Sequence, residues 1–265
     1  MKRWVLVAVL AVLVSPAVLA QSIFLVTDDP ELEMEGSGNL GDYLRSLGYT
    51  VDVDEGNPDQ AAGGMSNYRG DLTAEKIAHL ESYDLVMVLR STSSGDFSTA
   101  TSVDQWNSLR VPLIAATAYL PRTERWQWTT ALQARTNTTT VLVDDPEHPI
   151  VKGLGDTIEI YDTPLDIDHL SSMDMGNGKA IASVEQTDGT RGAFIAEWVE
   201  PGFFIGDSGR QHSAPRLYIG MFRYHEADSN GSFANYTDDG LTLFANIVEY
   251  ALSLSSHAAG WDIYE

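Results

Sequence analysis

Three kinds of side chain in this sequence are able to do chemistry: a histidine beside a carboxylate, carboxylates that can meet an arginine, and aromatic rings near a strand end. His225 and Glu226 follow the apolar run Arg216 to Phe222. An imidazole oriented by a carboxylate can move protons near neutral pH, so this pair is the candidate for acid/base work, with Asp28 as its third member. Asp28 and Asp29 follow Ile23 to Val26, and Arg90 with Ser91 follows Leu85 to Leu89. Neighbouring parallel strands would bring Asp28, Asp29 and Arg90 into one cluster. An arginine beside two carboxylates lowers their pKa and can hold a sugar hydroxyl or a carboxylate ligand. Thr117 and Tyr119 end a fourth apolar run, and Tyr119 with Trp126 and Trp128 could form a stacking platform for sugar rings; core or rim packing is the favoured reading of the tryptophans.

His148 lies in Glu147-His148-Pro149, between two turn-formers. It could act as a ligand or a general base; the favoured reading is structural, with the imidazole bonded to loop backbone. Asp144, Asp145, Asp162, Asp166 and Asp168 are oxygen donors in turns and make calcium the one candidate ion, although no D-x-D-x-D-G loop with its distal Glu occurs. No other cofactor is expected. Paired histidines at metal-binding spacing, a G-x-S-x-G elbow and phosphate-cradling glycine loops are all missing from the sequence.

These groups need elements to hold them. Ile23 to Val26 is too short for a helix and reads as a buried strand opening into a polar turn. Leu40, Tyr43, Leu44 and Leu47 recur at helical spacing and Gly48 supplies a stop, after which Thr50 to Asp54 alternates as a strand. Strand, helix, strand predicts a parallel βαβ unit. A helix over Thr73 to Ser82 takes Thr73 as its cap and leads to the strand Asp84 to Arg90, whose apolar run Leu85 to Leu89 is unbroken and therefore marks it as central. A short helix with Trp106 and Leu109, a fourth strand over Val111 to Tyr119 and a partly helical Leu120 to Arg135 follow. Strands are predicted at 138–143 and 157–161, an antiparallel pair at 179–184 and 192–198 around Asp188-Gly189, a strand at 216–222, and an amphipathic helix from Gly240 to Ser253.

The chain has 265 residues, with 16 Lys and Arg against 38 Asp and Glu and no cysteine. Residues 1–20 have the basic start, short apolar block and small residues of a secretory signal, so the expected location is secreted or periplasmic, with no membrane insertion after cleavage. Loss of Lys2 and Arg3 with that leader deepens the formal charge of −22 by two. Such a surface repels phosphate backbones, which disfavours nucleic acid as a partner. The expected partner is a glycan or another small molecule. Residues 21–254 read as one domain and 255–265 as a tail.

The segment Val143 to Leu154, which carries D-x-x-H-P-I-x-x-G-L, together with the strand from Arg216 to His225 and the helix Leu241 to Leu252, resembles the trehalose-utilisation (ThuA-like) branch of the class I glutamine amidotransferase-like fold. The resemblance implies an α/β, flavodoxin-like three-layer sandwich with a mainly parallel central sheet and an added antiparallel pair. Amidotransferases of that superfamily use a cysteine on a glycine-flanked elbow. Here strand four runs Ala115-Ala116-Thr117-Ala118-Tyr119 instead, so cysteine-dependent amidotransferase chemistry is not expected. Two functional readings follow. The first is a non-catalytic domain that binds a small ligand, a glycan or a protein partner at the carboxyl end of the sheet through Asp28, Asp29, Arg90, Ser91, Thr117, Tyr119 and His148. The second is a sugar-modifying enzyme using His225, Glu226 and Asp28.

Overall fold

The computed structural model describes residues 20–28, 40–54, 66–206, 210–222 and 235–255. In the first strand, β1 (Ser22–Val26), Ile23 and Leu25 enter one hydrophobic core while Phe24 and Val26 enter another. This two-residue alternation makes the run apolar on both sides, as a sheet covered on both faces requires. The strand pairs in parallel with β2 (Thr50–Val53) and β3 (Leu85–Val88), and β3 pairs with β4 (Leu113–Ala115). Helix α1 (Leu40–Ser46) connects β1 to β2, and Gly48 follows it at φ +96°, the left-handed turn that glycine accommodates most readily. Helix α2 (Ala74–Leu80) begins at Thr73, whose hydroxyl accepts from Lys76 N at 3.3 Å. Helix α3 (Ala100–Ser108) precedes β4.

The second half of the chain departs from expectation in two places. Residues 120–132 form turns rather than helix, because Trp126 and Trp128 are both drawn into the core. Trp126 stacks on Trp106 at 5.3 Å, and Trp128 stacks on Phe204 at 5.5 Å and donates to Asn107 Oδ1 at 2.8 Å. Two rings two residues apart cannot reach one core from the same helix face. The intervening Gln127 accordingly takes φ +62°.

The antiparallel addition is also larger than one pair. Strands β6 (Thr140–Val143), β7 (Thr157–Glu159), β9 (Lys179–Glu185) and β10 (Arg191–Trp198) extend the sheet through β13 (Arg216–Ile219). The full order is β2-β1-β3-β4-β13-β10-β9-β6-β7, with five parallel strands followed by four antiparallel ones. Two separate antiparallel pairs lie off it: β5 (Gln133–Thr138) with β8 (Leu165–Leu170), and β11 (Gly202–Phe203) with β12 (Gln211–His212). Helix α4 (Asp238–Ser253) packs Leu243, Phe244, Ile247 and Val248 into the same core as Leu40 and Leu44 of α1, whereas Leu80 of α2 and Trp106 of α3 belong to the other core. The protein is therefore a mixed α/β molecule with helices on both faces of its sheet. Among the described residues, no helix is long and apolar enough to cross a membrane.

Strand β13 joins the parallel and antiparallel halves, and its first residue is fully buried. The Arg216 guanidinium donates to the carbonyls of Trp106, Asn107 and Leu109 (3.3, 3.0 and 2.7 Å), which stand at the C-terminal end of α3. It also donates to Val111, Ala214 and Pro215 (3.1, 3.0 and 3.1 Å). A cation at a helix C-terminus satisfies carbonyls that have no partner within the helix and complements the helix dipole. Burial depresses the guanidinium pKa to about 9, so it still carries its charge at neutral pH.

Close by, His212 stacks on Phe204 at 4.6 Å with Nδ1 3.1 Å from Ala214 O. Burial, with the Arg216 charge second, lowers the imidazole pKa to about 4.

Replacing Arg216 with Met should lower the unfolding free energy by about 3 kcal/mol or more, because the carbonyls it serves lose their donor; Arg216→Lys should fall between, as urea denaturation will show. The His212 shift sets a pH window. Between about pH 6.5 and 4 the unfolded chain binds a proton that the folded chain refuses. Its contribution to stability is thus complete above about pH 6.5 and is lost as pH falls toward 4, by up to about 3 kcal/mol. His212→Phe keeps the ring stack, and Arg216 still serves Ala214 O. Denaturation midpoints of this variant should decline less steeply than those of the parent across that window.

Candidate functional site

Asp28 does sit beyond the carboxyl end of β1, but its arginine is Arg69 rather than Arg90. Arg69 Nε donates to Asp28 Oδ1 at 2.7 Å, and Arg69 Nη2 contacts Oδ2. The backbone amides of Ser66 and Ser93 add bonds of 2.9 and 2.8 Å, one to each oxygen. Arg69 also reaches Asp96 at 3.0 Å. Asp28 thereby ties the loop before α2 to the loop after β3, and both its oxygens are engaged. Ser91 Oγ lies 2.6 Å from Thr27 Oγ1, joining the ends of β1 and β3. Asp29, His225 and Glu226 lie outside the described residues.

Arg90 instead meets Asp168 of β8. Its Nε and Nη2 both lie 2.8 Å from Asp168 Oδ2, while Arg135 Nε and Gln133 Nε2 reach Oδ1 at 2.9 and 2.8 Å. The hydrogen bond Arg135 donates to Asp168 is the leading reason the Arg135 pKa is raised. The antiparallel register of β5 and β8 places Arg135 directly opposite Asp168, the arrangement that lets cross-strand charges pair.

Glycines bring β8 onto the sheet. A Cβ on Gly220, just after β13, would stand 2.8 Å from Asp168 O, and one on Gly192 of β10 would stand 2.4 Å from Leu170 O. Only a residue without a side chain permits that approach, and it sets the Asp168 carboxylate over the ends of β3 and β13.

Tyr119 completes the group. The Arg90 guanidinium lies 4.8 Å from its ring centroid and that of Arg122 lies 5.1 Å away, both within cation–π range. Thr117 is buried, and its hydroxyl accepts from Tyr119 N at 3.4 Å, fixing the turn that presents the ring. Arg122 Nε is buried and has no hydrogen-bond acceptor in reach; the nearest carboxylate, that of the exposed Glu124, is 3.6 Å away. Arg125 is close enough to Arg122 that, after burial, the neighbouring charge lowers its pKa. Cations elsewhere are matched more simply: Arg191 with Asp144 at 2.8 Å, Lys179 with Asp145 at 2.5 Å.

The remaining predicted residues are placed elsewhere. His148 caps a short 3₁₀ turn, its Nδ1 accepting from Ile150 N at 3.2 Å. Its Nε2 is 3.3 Å from Glu197 Oε2, which also accepts from Tyr250 OH at 2.7 Å. Glu197 pairs with Leu217 near the start of β13, so the buried His148 and Glu197, with the half-buried Tyr250, stand at the end of the sheet opposite Arg90. Trp126 and Trp128 are core residues and present no stacking face. The five aspartates considered for calcium are dispersed, with Asp144, Asp145 and Asp168 held by cations and Asp166 by Asn137. Among the described residues, no group of three or more His, Asp or Glu side chains could hold a metal ion.

No family model matches the chain, and no curated protein matches it. Solved structures do. A protein from Bacteroides uniformis described as ThuA-like is 11% identical with a TM-score of 0.53, over 88% of this chain and 91% of that one. Another so described, from Parabacteroides merdae, is 14% identical with a TM-score of 0.53, over 88% and 90%. At these identities the likeness is one of fold.

Asp168→Asn should destabilise the protein by about 3 kcal/mol, since it leaves the buried Arg90 charge uncompensated. Arg135→Ala, whose side chain is 48% exposed, should cost under about 1 kcal/mol. Equal losses in urea titrations would show that Arg90 is not the partner that matters.

Proposed function

We propose that this protein is an exported, non-catalytic binding domain for a small carboxylate-bearing ligand, an acidic sugar being the best match, taken up at the carboxyl end of the parallel strands. The fold reading that accompanies this is a flavodoxin-like three-layer sandwich related to ThuA-like proteins. In such sheets ligands bind beyond the carboxyl ends of the strands, where the order of connections reverses. The parallel order β2-β1-β3-β4-β13 puts that reversal beside β1 and β3.

One observation carries the ligand class. In a chain of formal charge −22, Arg90, Arg122 and Arg135 converge around Tyr119 with Asp168 as the single buried carboxylate among them. Crowded guanidiniums are unfavourable by themselves, and a carboxylate accepting from them would relieve that repulsion. Arginine is suited to the task because its planar donor pair matches a carboxylate in two bonds. The acidic remainder of the surface disfavours loosely held anions, so the local geometry must supply the affinity. A binding reading also agrees with the absence of cysteine, which leaves the superfamily's amidotransferase nucleophile unfilled.

A thermal-shift series with glucuronate, galacturonate and neutral glucose tests this. An acidic sugar at a hundredfold over its Kd should add about 2.7 kcal/mol of stability, and glucose should add none. Arg135→Ala and Arg122→Ala should abolish the shift. Equal shifts by glucose, or shifts that survive in both variants, would refute the carboxylate site.

A further inference from the structure

A second feature lies away from the arginines, where helix α2 leaves strand β2 uncovered. Strand β2 is one of the two edge strands of the nine. In its parallel pairing, Thr50 N bonds to Gln21 O and Asp54 N to Leu25 O, so the peptide groups of the alternate residues Val51 and Val53 face outward. Arg45 of α1 folds back over this edge, donating to Val51 O at 2.9 Å and pairing with Asp42 at 3.2 Å. Between the edge and α2 remains an open groove of about 380 Å³. That volume falls within the range of small-molecule sites.

One wall is aromatic. Phe24 of β1 is the hub, with the rings of Tyr68, His79 and Tyr83 centred 5.1, 5.1 and 5.0 Å from its own. Hydrogen bonds hold these rings in fixed orientation. Tyr83 OH donates to Asp52 Oδ2 at 2.9 Å, and His79 Nε2 lies 3.4 Å from Tyr83 OH. Tyr68 OH lies 2.5 Å from His79 Nδ1. Each hydroxyl has one proton, and Tyr83 spends its own on Asp52. A neutral His79 must then donate from Nε2 and accept from Tyr68 at Nδ1. The chain of bonds runs one way and ends on a carboxylate at the groove.

The electrostatics of the lining favour a cation. Asp52 and Asp54 both face the groove, and Arg45, the cation among its lining residues, is already paired. The phenols titrate high, chiefly through burial: burial and then Asp54 raise Tyr68 to about 12, and burial and then the hydrogen bond to Asp52 raise Tyr83. Aromatic faces add attraction for positive charge. Lys76, outside the lining, holds its ammonium 5.8 Å from the Tyr68 ring centroid, an instance of that interaction within the chain itself. A bare metal ion would need more oxygen ligands than this wall offers. The chemistry is that of an organic ammonium group, bulky enough to lie against rings and charged enough to seek Asp52.

We infer that the groove between α2 and β2 is a binding site for small organic cations, in which the half-buried Tyr83 supplies a ring face and Asp52 the counter-charge. It is independent of the arginine site. Choline and its neutral isostere 3,3-dimethyl-1-butanol are suitable probes for the full chain, titrated by calorimetry at constant ionic strength. Choline should bind saturably, and the isostere at least about tenfold more weakly. That ratio corresponds to about 1.4 kcal/mol for the charge. Asp52→Asn, at an exposed edge position, should retain the fold by circular dichroism and weaken choline binding about tenfold, while Arg135→Ala should leave it unchanged. Absence of choline binding, equal affinity for the isostere, or undiminished binding by folded Asp52→Asn would each overturn the assignment.

Discussion

The structure depends on one buried cation. Arg216 opens the strand on which the parallel and antiparallel halves meet, and its guanidinium is shared among backbone carbonyls from the end of α3, the start of β4 and its own approach segment. Without that donor set, the α3 C-terminus and the loop before β4 would bury carbonyls with no partner, a cost comparable to losing several hydrogen bonds at once. The charge itself is expensive to bury. It is tolerated because the carbonyl dipoles substitute for water. Strand β13 can therefore pair with β4 on one side and β10 on the other, and every feature at the carboxyl end of the sheet is set from that seam.

At that end the controlling constraint is close approach. Gly192 and Gly220 leave room for β8 to cross the sheet, and Tyr218 OH, donating to Asp168 O at 3.3 Å, helps to hold it there. Asp168 then reaches Arg90 from one side and Arg135 from the other. The same crossing decides that Arg90 is turned toward β8 rather than toward Asp28, whose oxygens are filled by Arg69 and two backbone amides. A carboxylate accepts only a few bonds, so the first well-placed partners exclude the rest.

Charge is distributed unevenly for an acidic protein. Arg69, Lys179 and Arg191 each meet carboxylates of their own, whereas Arg90 and Arg135 share the single carboxylate of Asp168 and lie with Arg122 near Tyr119. The groove by β2 shows the converse, with carboxylates gathered beside rings and the local arginine drawn back.

The sequence alone determined the elements whose signal is local. Four apolar residues from Ile23 to Val26, the continuous run of β3, the helical spacing from Leu241 to Leu252, the Thr73 cap and the stop at Gly48 all appear where patterning places them, since burial on a sheet or a helix face demands those periods. The structural reading of His148 was equally legible, because His-Pro constrains the local backbone. The core packing of Trp126 and Trp128 was legible too, but the turns that carry them were not: part of Leu120 to Arg135 read as helix, and only the position of the core showed that both rings must enter it from a non-helical backbone. Nor were the charge pairs. Arg69 and Asp28 are 41 residues apart, Arg90 and Asp168 are 78, and Arg135 and Asp168 are 33. An arginine attracts any nearby carboxylate alike, so partner choice is carried by strand register and glycine-permitted crossings, and those exist only once the chain has folded.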